Sequence, residues 1–391
     1  MIEVEGKMNS LNKKIGIIGG GQLGKMMILD AKRLGFEVVT LDPSEKCPSH
    51  SISDEHIVAS FQSKEAYKKL AEKVDVITYE FEHIHADFLE ALEGDGHKVY
   101  PTAKSLKIIQ DKYTQKCLLK DEGVLTPEFI KINGLEDLKL AGEQFGYPFM
   151  LKATTGGYDG KGNAVVKSPL DVKGKYEVLG AGEAPLMAEK FLNFKKEISV
   201  LACRGIDGKI VIYPVAENIH MNSILDETIV PAAIDKESET KAMEMAHAVM
   251  EIFDGVGMFC TEMFVDEDGE IYLNEVAPRP HNSGHYTIEG TLTSQYEQHI
   301  RAIVGLPLGD VQLRRPIVMK NILGTEREGK AIIKGIEKTY NNPRVKVHIY
   351  GKQISKLGRK MGHLTVVGDD IDKVREEARV AYNSIKIVGG K

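Results

Sequence analysis

Two glutamates, Glu262 and Glu275, carry the strongest chemical signal in the chain. They lie on apolar, alternating segments, Glu262–Val265 and Glu270–Glu275, separated by the turn residues Asp266–Gly269. A hairpin across that turn sets Val265 against Glu270 and Glu262 against Leu273, leaving Glu275 two positions further along on the same face. Diagonal neighbours of this kind sit ~7–8 Å apart at Cα, within reach of a shared cation. Magnesium suits such a pair, because it takes a few carboxylates and completes its shell with phosphate oxygens and water. A solvated strand face is the plainer reading, but the surrounding apolar residues point to burial, where unpaired carboxylates are costly.

Around Glu275 the chain reads Asn274-Glu275-Val276-Ala277-Pro278-Arg279-Pro280-His281-Asn282-Ser283-Gly284-His285. The prolines stiffen a loop that brings a guanidinium, imidazoles and small donors to the carboxylates. Such a set can hold an oxyanion and stabilise charge as a phosphoryl group moves. Arg279, His281 and Asn282 are therefore candidate catalytic residues, and one of the two histidines is expected to be structural.

A third group is Lys152 followed by Gly156-Gly157-Tyr158-Asp159-Gly160-Lys161-Gly162. The glycines expose backbone N–H groups in a hairpin flap able to close over a triphosphate, with Lys152 as a fixed charge for the α/β-phosphates. No Gly-Lys-Ser/Thr follows, so this is not a Walker loop. Near the N-terminus stands Gly19-x-Gly21-x-x-Gly24, with Asp42 ending the next strand. A dinucleotide, another anionic ligand at a helix N-terminus, or a tight turn would each need these glycines. Weaker signals are Glu189-Lys190-Phe191-Leu192 ahead of Glu197, a possible adenine edge and ribose ligand, and a basic cluster of Lys352, Arg359 and Lys360.

These residues need a scaffold of more than one domain, and the length of 391 residues allows two or three. Residues 1–108 read as an open, Rossmann-like α/β domain: strands at Lys13–Ile18, Phe36–Leu41, Val74–Tyr79 and Lys98–Tyr100, with an amphipathic helix over Gln22–Leu34. Residues 109–304 read as an α+β domain rich in hairpins. A helix is expected over Ser105–Glu122 and another over Lys241–Phe253. Strands are expected at Phe149–Ala153, Asn163–Lys167, Glu197–Arg204 and Ile210–Ala216. Residues 305–391 read as a small β-rich domain, with strands at Pro316–Leu323, Val345–Tyr350 and His363–Val367 and a helix over Ile371–Ile385. Residues 1–12 are polar, with Met8 an alternative start.

Composition sets the outer bounds. Net charge is −6 with no basic block, which argues against nucleic acid or anionic membrane as partner. Cys47, Cys117, Cys203 and Cys260 are widely spaced, so neither a zinc ribbon nor a dithiol site is expected. No apolar run reaches the ~18 residues of a membrane span, and no signal-peptide core is evident. A cytoplasmic protein with reduced thiols is expected.

In combination these motifs resemble the ATP-grasp superfamily, most closely its family of N5-carboxyaminoimidazole ribonucleotide synthetases. The resemblance is carried by Gly19 to Gly24, by Thr78-Tyr79-Glu80-Phe81-Glu82, by the Gly156–Gly162 flap and by the Ala277–His285 run. Tyr350-Gly351-Lys352 and Arg359-Lys360-Met361-Gly362-His363 complete it, in family order along nearly the whole chain. It implies a Rossmann-like domain, an ATP-grasp domain and a small C-terminal domain. It implies that ATP, bicarbonate and 5-aminoimidazole ribonucleotide give N5-carboxyaminoimidazole ribonucleotide through carboxyphosphate, in a homodimer. By the same resemblance Lys112 and Lys152 meet the ATP phosphates, and Glu189, Lys190, Phe191, Leu192, Glu197, His220 and Asn274 line the nucleotide. The ribonucleotide meets Gly21, Gln22, Leu23, Glu80, Glu82, Lys352, Arg359 and Lys360, and Lys352 joins the catalytic residues. Ala277 departs from the superfamily, where asparagine is a common metal ligand, which leaves magnesium to Glu262 and Glu275. Competing readings are a formate-using glycinamide ribonucleotide transformylase, an NAD-dependent dehydrogenase, and a catalytically silent nucleotide-binding scaffold.

Overall fold

Short apolar runs buried on both faces make parallel strands, because crossover helices cover each side. That is how the first sheet forms in the computed structural model, which describes residues 13–157 and 162–390. β1 (Lys14–Ile18), β2 (Glu37–Asp42), β3 (Glu55–Val58) and β4 (Val76–Tyr79) lie parallel in the order β3-β2-β1-β4. The segment expected as a strand at Lys98–Tyr100 adds one isolated bridge, Val99 to Ile77. Pro101 follows at once and has no N–H to continue a ladder.

The expected helix over Ser105–Glu122 is two helices, Ala103–Gln110 and Lys112–Asp121. Asp111 breaks it in an extended conformation, φ −112° and ψ 107°. Its Oδ1 accepts the Thr114 N–H at 2.8 Å, capping the second helix, and its Oδ2 accepts the Thr154 hydroxyl at 2.8 Å. A short side chain that binds backbone amides prefers a cap to a helix interior. The break sets Lys112 at the first turn of the new helix.

A second sheet of four antiparallel strands follows, β5 (Phe129–Ile132), β6 (Phe149–Ala153), β7 (Asn163–Val166) and β8 (Leu186–Lys190), in the order β5-β8-β6-β7. The remaining strands share one twelve-stranded sheet. Its centre is β9 (Phe194–Arg204), with β10 (Ile210–Ile212), β11 (Ala216–Met221) and β12 (Ile224–Val230) after it in the chain. The expected partner of β9, Ile210–Ala216, is interrupted: β10 pairs with Ala202–Arg204, and Ala216 opens β11, which pairs with Glu197–Ser199. Pro214 lies in the gap and cannot donate. The helix Lys236–Phe253 starts earlier than expected, capped by Asp235. The hairpin of β13 (Gly257–Asp266) and β14 (Ile271–Ala277) adds to the other side of β9.

The C-terminal strands β15 (Ile317–Thr325), β16 (Gly329–Lys334), β17 (Val345–Ile349), β18 (Ile354–Ser355), β19 (Lys360–Val367) and β20 (Lys386–Gly389) continue this sheet, since β15 pairs with β12. The helix Ile371–Ser384 packs its apolar side on β15 and β19. Several ties hold the N-terminal sheet to the rest. Leu23 and Met27 pack with Tyr296, Ile300 and Tyr350 in one cluster. The Lys25 ammonium donates to the Ile349 and Tyr350 carbonyls at 3.2 and 3.1 Å. His299, fully buried, accepts the Met258 N–H on Nδ1 at 3.0 Å, which leaves the proton on Nε2, 2.8 Å from the Thr78 hydroxyl.

Loss of a helix cap costs about 1 kcal/mol. Asp111→Ala is therefore expected to lower stability in urea denaturation by roughly that amount, and Asp111→Asn, which keeps a capping oxygen, by less. Equal midpoints for both variants and the wild type would show that the cap is idle.

Candidate active site

The site is built around an irregularity in the β13–β14 hairpin. Val265 opposes Ile271 and Met263 opposes Leu273, but the register then shifts so that Glu262 lies directly across from Glu275. The diagonal pairing expected from a regular hairpin is wrong by two steps: the turn is one residue longer, so Val265 meets Ile271 and not Glu270, and an extra residue, Asn274, on β14 then moves Glu275 into direct opposition. Two carboxylates this close in a desolvated place cannot both ionise freely. Burial and the Glu275 charge push Glu262 up to about 8. Burial also works against the Glu275 charge, but Lys112 overrides it and holds that carboxyl at about 2. Lys112 is in direct ion-pair contact with Glu275.

A second charge cluster lies beneath. Glu189 is 3% exposed and receives Lys152 at 2.7 Å on one oxygen and Lys116 at 2.7 Å on the other. Two buried cations thus face one anion, which leaves positive charge next to the carboxylate pair. Lys116 was not foreseen. Its signal is the spacing from Lys112, since residues four apart share a helix face. Glu189 turns its carboxylate into this triad, while Lys190 pairs at the surface with Glu128 at 2.7 Å and Phe191 is 37% exposed. Leu192 follows, half-buried. Glu197 and His220 form a pair at 2.5 Å; burial disfavours the imidazolium, but the carboxylate wins and raises the His220 pKa. Glu197, His220, Asn274 and Glu262 line one small cavity.

At the flap, Gly156 and Gly162 take positive φ, +75° and +90°, and the Gly162 carbonyl accepts the Ala153 N–H. Gly157 lies between them at the surface of the loop. Tyr158, Asp159, Gly160 and Lys161 lie outside the described residues, as do residues 1–12.

Several amides of the N-terminal glycine loop are met from within the chain. The Glu80 carboxylate accepts the Gly21 N–H on one oxygen and the Gly24 N–H at 2.8 Å on the other. The chain thus supplies its own anion to the helix N-terminus. A Cβ at Gly21 would collide with the Glu80 oxygens, so the carboxylate itself requires glycine there. Asp42 accepts the Gly20 N–H at 2.8 Å. Gln22 opens the helix, half-buried, whereas Leu23 sits in the core and contributes packing. Burial raises the Glu80 pKa against the pull of these amides and of nearby Lys352.

Glu82, two residues on, pairs with Arg279 at 2.7 Å and joins the N-terminal sheet to the loop after β14. In that loop His281 places Nε2 3.7 Å from Glu262. Burial, Arg279 and Lys360 keep this ring well below the usual imidazole pKa. Asn282 is 7% exposed, and neither side-chain amide atom has a hydrogen-bond partner among the described residues. A buried amide in this state is open to a bond with water or a ligand. His285 has the packing of the structural histidine: fully buried, it bonds Tyr296 OH at 2.6 Å and stacks on His363 at 4.4 Å. From the C-terminal strands, Lys352 donates to the Lys360 carbonyl at 2.8 Å and Arg359 to the Ile354 carbonyl at 2.8 Å. Of the three cations, Lys352 acts on Glu80 and Lys360 on His281.

Comparison with known proteins finds three successive matching regions. Residues 12–110 match the ribonucleotide synthetase preATP-grasp domain, 117–296 the ATP-grasp domain, and 317–377 the phosphoribosylaminoimidazole carboxylase C-terminal domain. The N5-carboxyaminoimidazole ribonucleotide synthase of Staphylococcus aureus (strain COL) is 41% identical over 365 residues, 93% of this chain and 95% of that one. That of Bacillus subtilis (strain 168) is 42% identical over 368 residues, 93% of each. The crystal structure of N5-carboxyaminoimidazole ribonucleotide synthetase from Thermotoga maritima superposes with a TM-score of 0.88 at 42% identity, covering 97% of this chain and all of that one. The Aspergillus clavatus N5-carboxyaminoimidazole synthase, in complex with ADP and 5-aminoimidazole ribonucleotide, gives a TM-score of 0.89 at 35% identity, covering 96% and 99%. The opposed glutamates, the arginine loop and the glycine flap sit in a chain that matches these proteins from end to end, and it belongs to the N5-carboxyaminoimidazole ribonucleotide synthase family of the ATP-grasp superfamily.

Proposed function

We infer that the chain carboxylates the exocyclic amine of 5-aminoimidazole ribonucleotide, using ATP and bicarbonate, in purine biosynthesis. The observation that carries this reading is the Glu82–Arg279 pair, which sets the ribonucleotide side of the site against the phosphoryl-transfer side. A bicarbonate oxygen attacks the γ-phosphorus, ADP leaves, and carboxyphosphate results. Carboxyphosphate releases carbon dioxide as its C–O bond to phosphate breaks, the amine nitrogen attacks that carbon, and the amine proton passes to the departing phosphate.

Lys112 and Lys152 neutralise the ATP phosphates, with Lys116 and Glu189 holding Lys152 in place. Glu189, Lys190, Phe191, Leu192, Glu197, His220 and Asn274 surround the nucleoside, and the flap from Gly156 through Tyr158, Asp159, Gly160 and Lys161 to Gly162 excludes water. Glu262 and Glu275 offer an all-oxygen donor set whose repulsion Lys112 relieves only on the Glu275 side, which fits a hard divalent cation. Magnesium bound there would polarise phosphate oxygens. Arg279, His281, Asn282 and Lys352 hold the bicarbonate-derived oxyanion. Gly21, Gln22, Leu23, Glu80, Glu82, Lys352, Arg359 and Lys360 form the ribonucleotide end. In this reading the chain divides near residues 108 and 304, acts as a homodimer and works in the cytoplasm. No described helix is long and apolar enough to cross a membrane.

Phosphate release with ATP, bicarbonate, magnesium and 5-aminoimidazole ribonucleotide, each omitted in turn, tests the assignment. Turnover is expected to need all four, and equal turnover with formate and glycinamide ribonucleotide would overturn it. Glu275→Gln keeps the side-chain volume but removes the charge, so kcat is expected to fall at least ~100-fold, the scale of one lost electrostatic contact. Wild-type kcat at limiting magnesium would exclude Glu275 as a ligand. Arg359→Ala and Lys352→Ala each remove a charge-assisted contact worth ~1.5–3 kcal/mol. The ribonucleotide KM is expected to rise roughly 10- to 100-fold with the ATP KM little changed. An unaltered ribonucleotide KM in both variants would reduce the cluster to solvated surface.

A further inference from the structure

Behind His281 runs a file of buried polar side chains that neither the motifs nor the carboxylation chemistry accounts for. The Thr228 hydroxyl donates to Asn218 Oδ1 at 3.1 Å. Asn218 Nδ2 donates to Ser199 Oγ at 2.8 Å, and the Ser199 hydroxyl donates to Ser283 Oγ at 2.9 Å. Ser283 Oγ lies 2.9 Å from His281 Nδ1. Thr228, Ser199 and Ser283 are at most 2% exposed and Asn218 5%. Buried side chains satisfied only by one another form a network whose members must all agree in direction.

One donor in the network has a fixed sense. The backbone N–H of Ser283 points at His281 Nδ1 across 3.3 Å, a long contact that gives the network its sense but is too weak to hold the tautomer without the shorter Ser283 hydroxyl bond at 2.9 Å. A backbone amide cannot reverse, unlike a hydroxyl or a side-chain amide. The Ser283 hydroxyl then also donates to Nδ1, Ser283 Oγ accepts from Ser199, and Ser199 accepts from Asn218. The Cys260 thiol, 3.7 Å from Ser283 Oγ, is a weak donor and agrees with that sense. Gln295 fixes the backbone on both sides, accepting the His281 N–H at 2.8 Å and donating to the His281 carbonyl at 2.8 Å. With Nδ1 occupied as an acceptor, a neutral ring carries its proton on Nε2. That atom faces Glu262 at 3.7 Å, too far for a direct hydrogen bond.

We propose that Thr228, Asn218, Ser199 and Ser283 are positioning residues that lock His281 in the Nε2–H tautomer, so that it serves as a hydrogen-bond donor to the activated carboxyl group. The role at the carboxyl group rests on the proposed function; the tautomer rests on geometry alone. The relay starts on β12 and β11, crosses β9 and ends in the loop after β14, so three strands and one loop must be in register for the proton to sit on Nε2.

The test uses protein labelled with 15N in its histidine rings and saturated with ADP, with the His281 signals assigned by their loss in His281→Gln. A protonated Nε2 and a bare Nδ1 are expected in the wild type. Ser199→Ala and the isosteric Thr228→Val each break one link, and both are expected to give a mixture of tautomers. Both should also lower kcat for ribonucleotide carboxylation, about tenfold for Ser199→Ala, the scale of one neutral hydrogen bond. ADP affinity and the KM for ATP are expected to stay at the wild-type value, which also reports that each variant is folded. A proton on Nδ1 in the wild type would overturn the proposal. So would wild-type ring spectra and kcat in both variants, the result expected of residues that only pack. If the ring spectra follow expectation while 5-aminoimidazole ribonucleotide is not turned over, the relay stands and the substrate assignment falls.

Discussion

Two like charges placed opposite each other inside a protein impose conditions on everything near them. Glu262 and Glu275 share one step of a hairpin, and both side chains are only partly exposed, so neither charge is fully hydrated. Without a cation the protein meets this by dividing the roles: Glu275 keeps its charge against Lys112, and Glu262 is driven toward its neutral form. A divalent ion would satisfy both at once. The break in the helix at Asp111 becomes intelligible in the same terms, because it turns Lys112 toward Glu275, and the Lys112 N–H is held by the Thr154 carbonyl at 2.8 Å.

The same economy of charge explains the N-terminal glycines. A helix N-terminus attracts anions, and in a phosphate-binding loop that anion comes from outside. Here Glu80 fills the place, and the close approach of its carboxylate demands Gly21. Asp42 takes the neighbouring Gly20 amide, so the amides of Gly20, Gly21 and Gly24 all meet carboxylates of the chain. Glu82, on the same connection as Glu80, reaches Arg279.

Much of this could be seen in the residues before any coordinates. The two-glutamate hairpin, the arginine–histidine loop, the flap and the basic C-terminal cluster all stand out by residue type, because local spacing is enough to place them on strands and loops. What escaped notice depends on contacts between distant segments. A bulge at Asn274 changes which residues oppose each other without changing hydrophobic alternation visibly. Asp111 reads as one polar residue in a helical period until its two oxygens find Thr114 and Thr154. Lys116 was legible in principle from its spacing to Lys112, but its partner Glu189 lies on another sheet. The Glu80 clamp needs β4 beside β1, a pairing that spacing along the chain does not specify.

The chemistry gives a reason for spreading the site over three parts of the chain. Carboxyphosphate is an anhydride that water destroys, so its two reactions must occur in one enclosed place. A site confined to one sheet edge would stay open on one side. Here the N-terminal sheet contributes Glu82, the central hairpin Arg279, and the C-terminal strands Lys352, with Lys25 bonding across from the first to the last. His299 bonds both to Thr78 on β4 and to the Met258 amide on β13, so a shift of the N-terminal sheet would move the hairpin as well. Burying each large apolar residue of the Leu23–Tyr296–Tyr350 cluster contributes about 1.5–3 kcal/mol, and several such residues make separation of the parts costly. With the three parts held together, Glu82, Arg279 and Lys352 keep their places relative to one another whichever substrate enters.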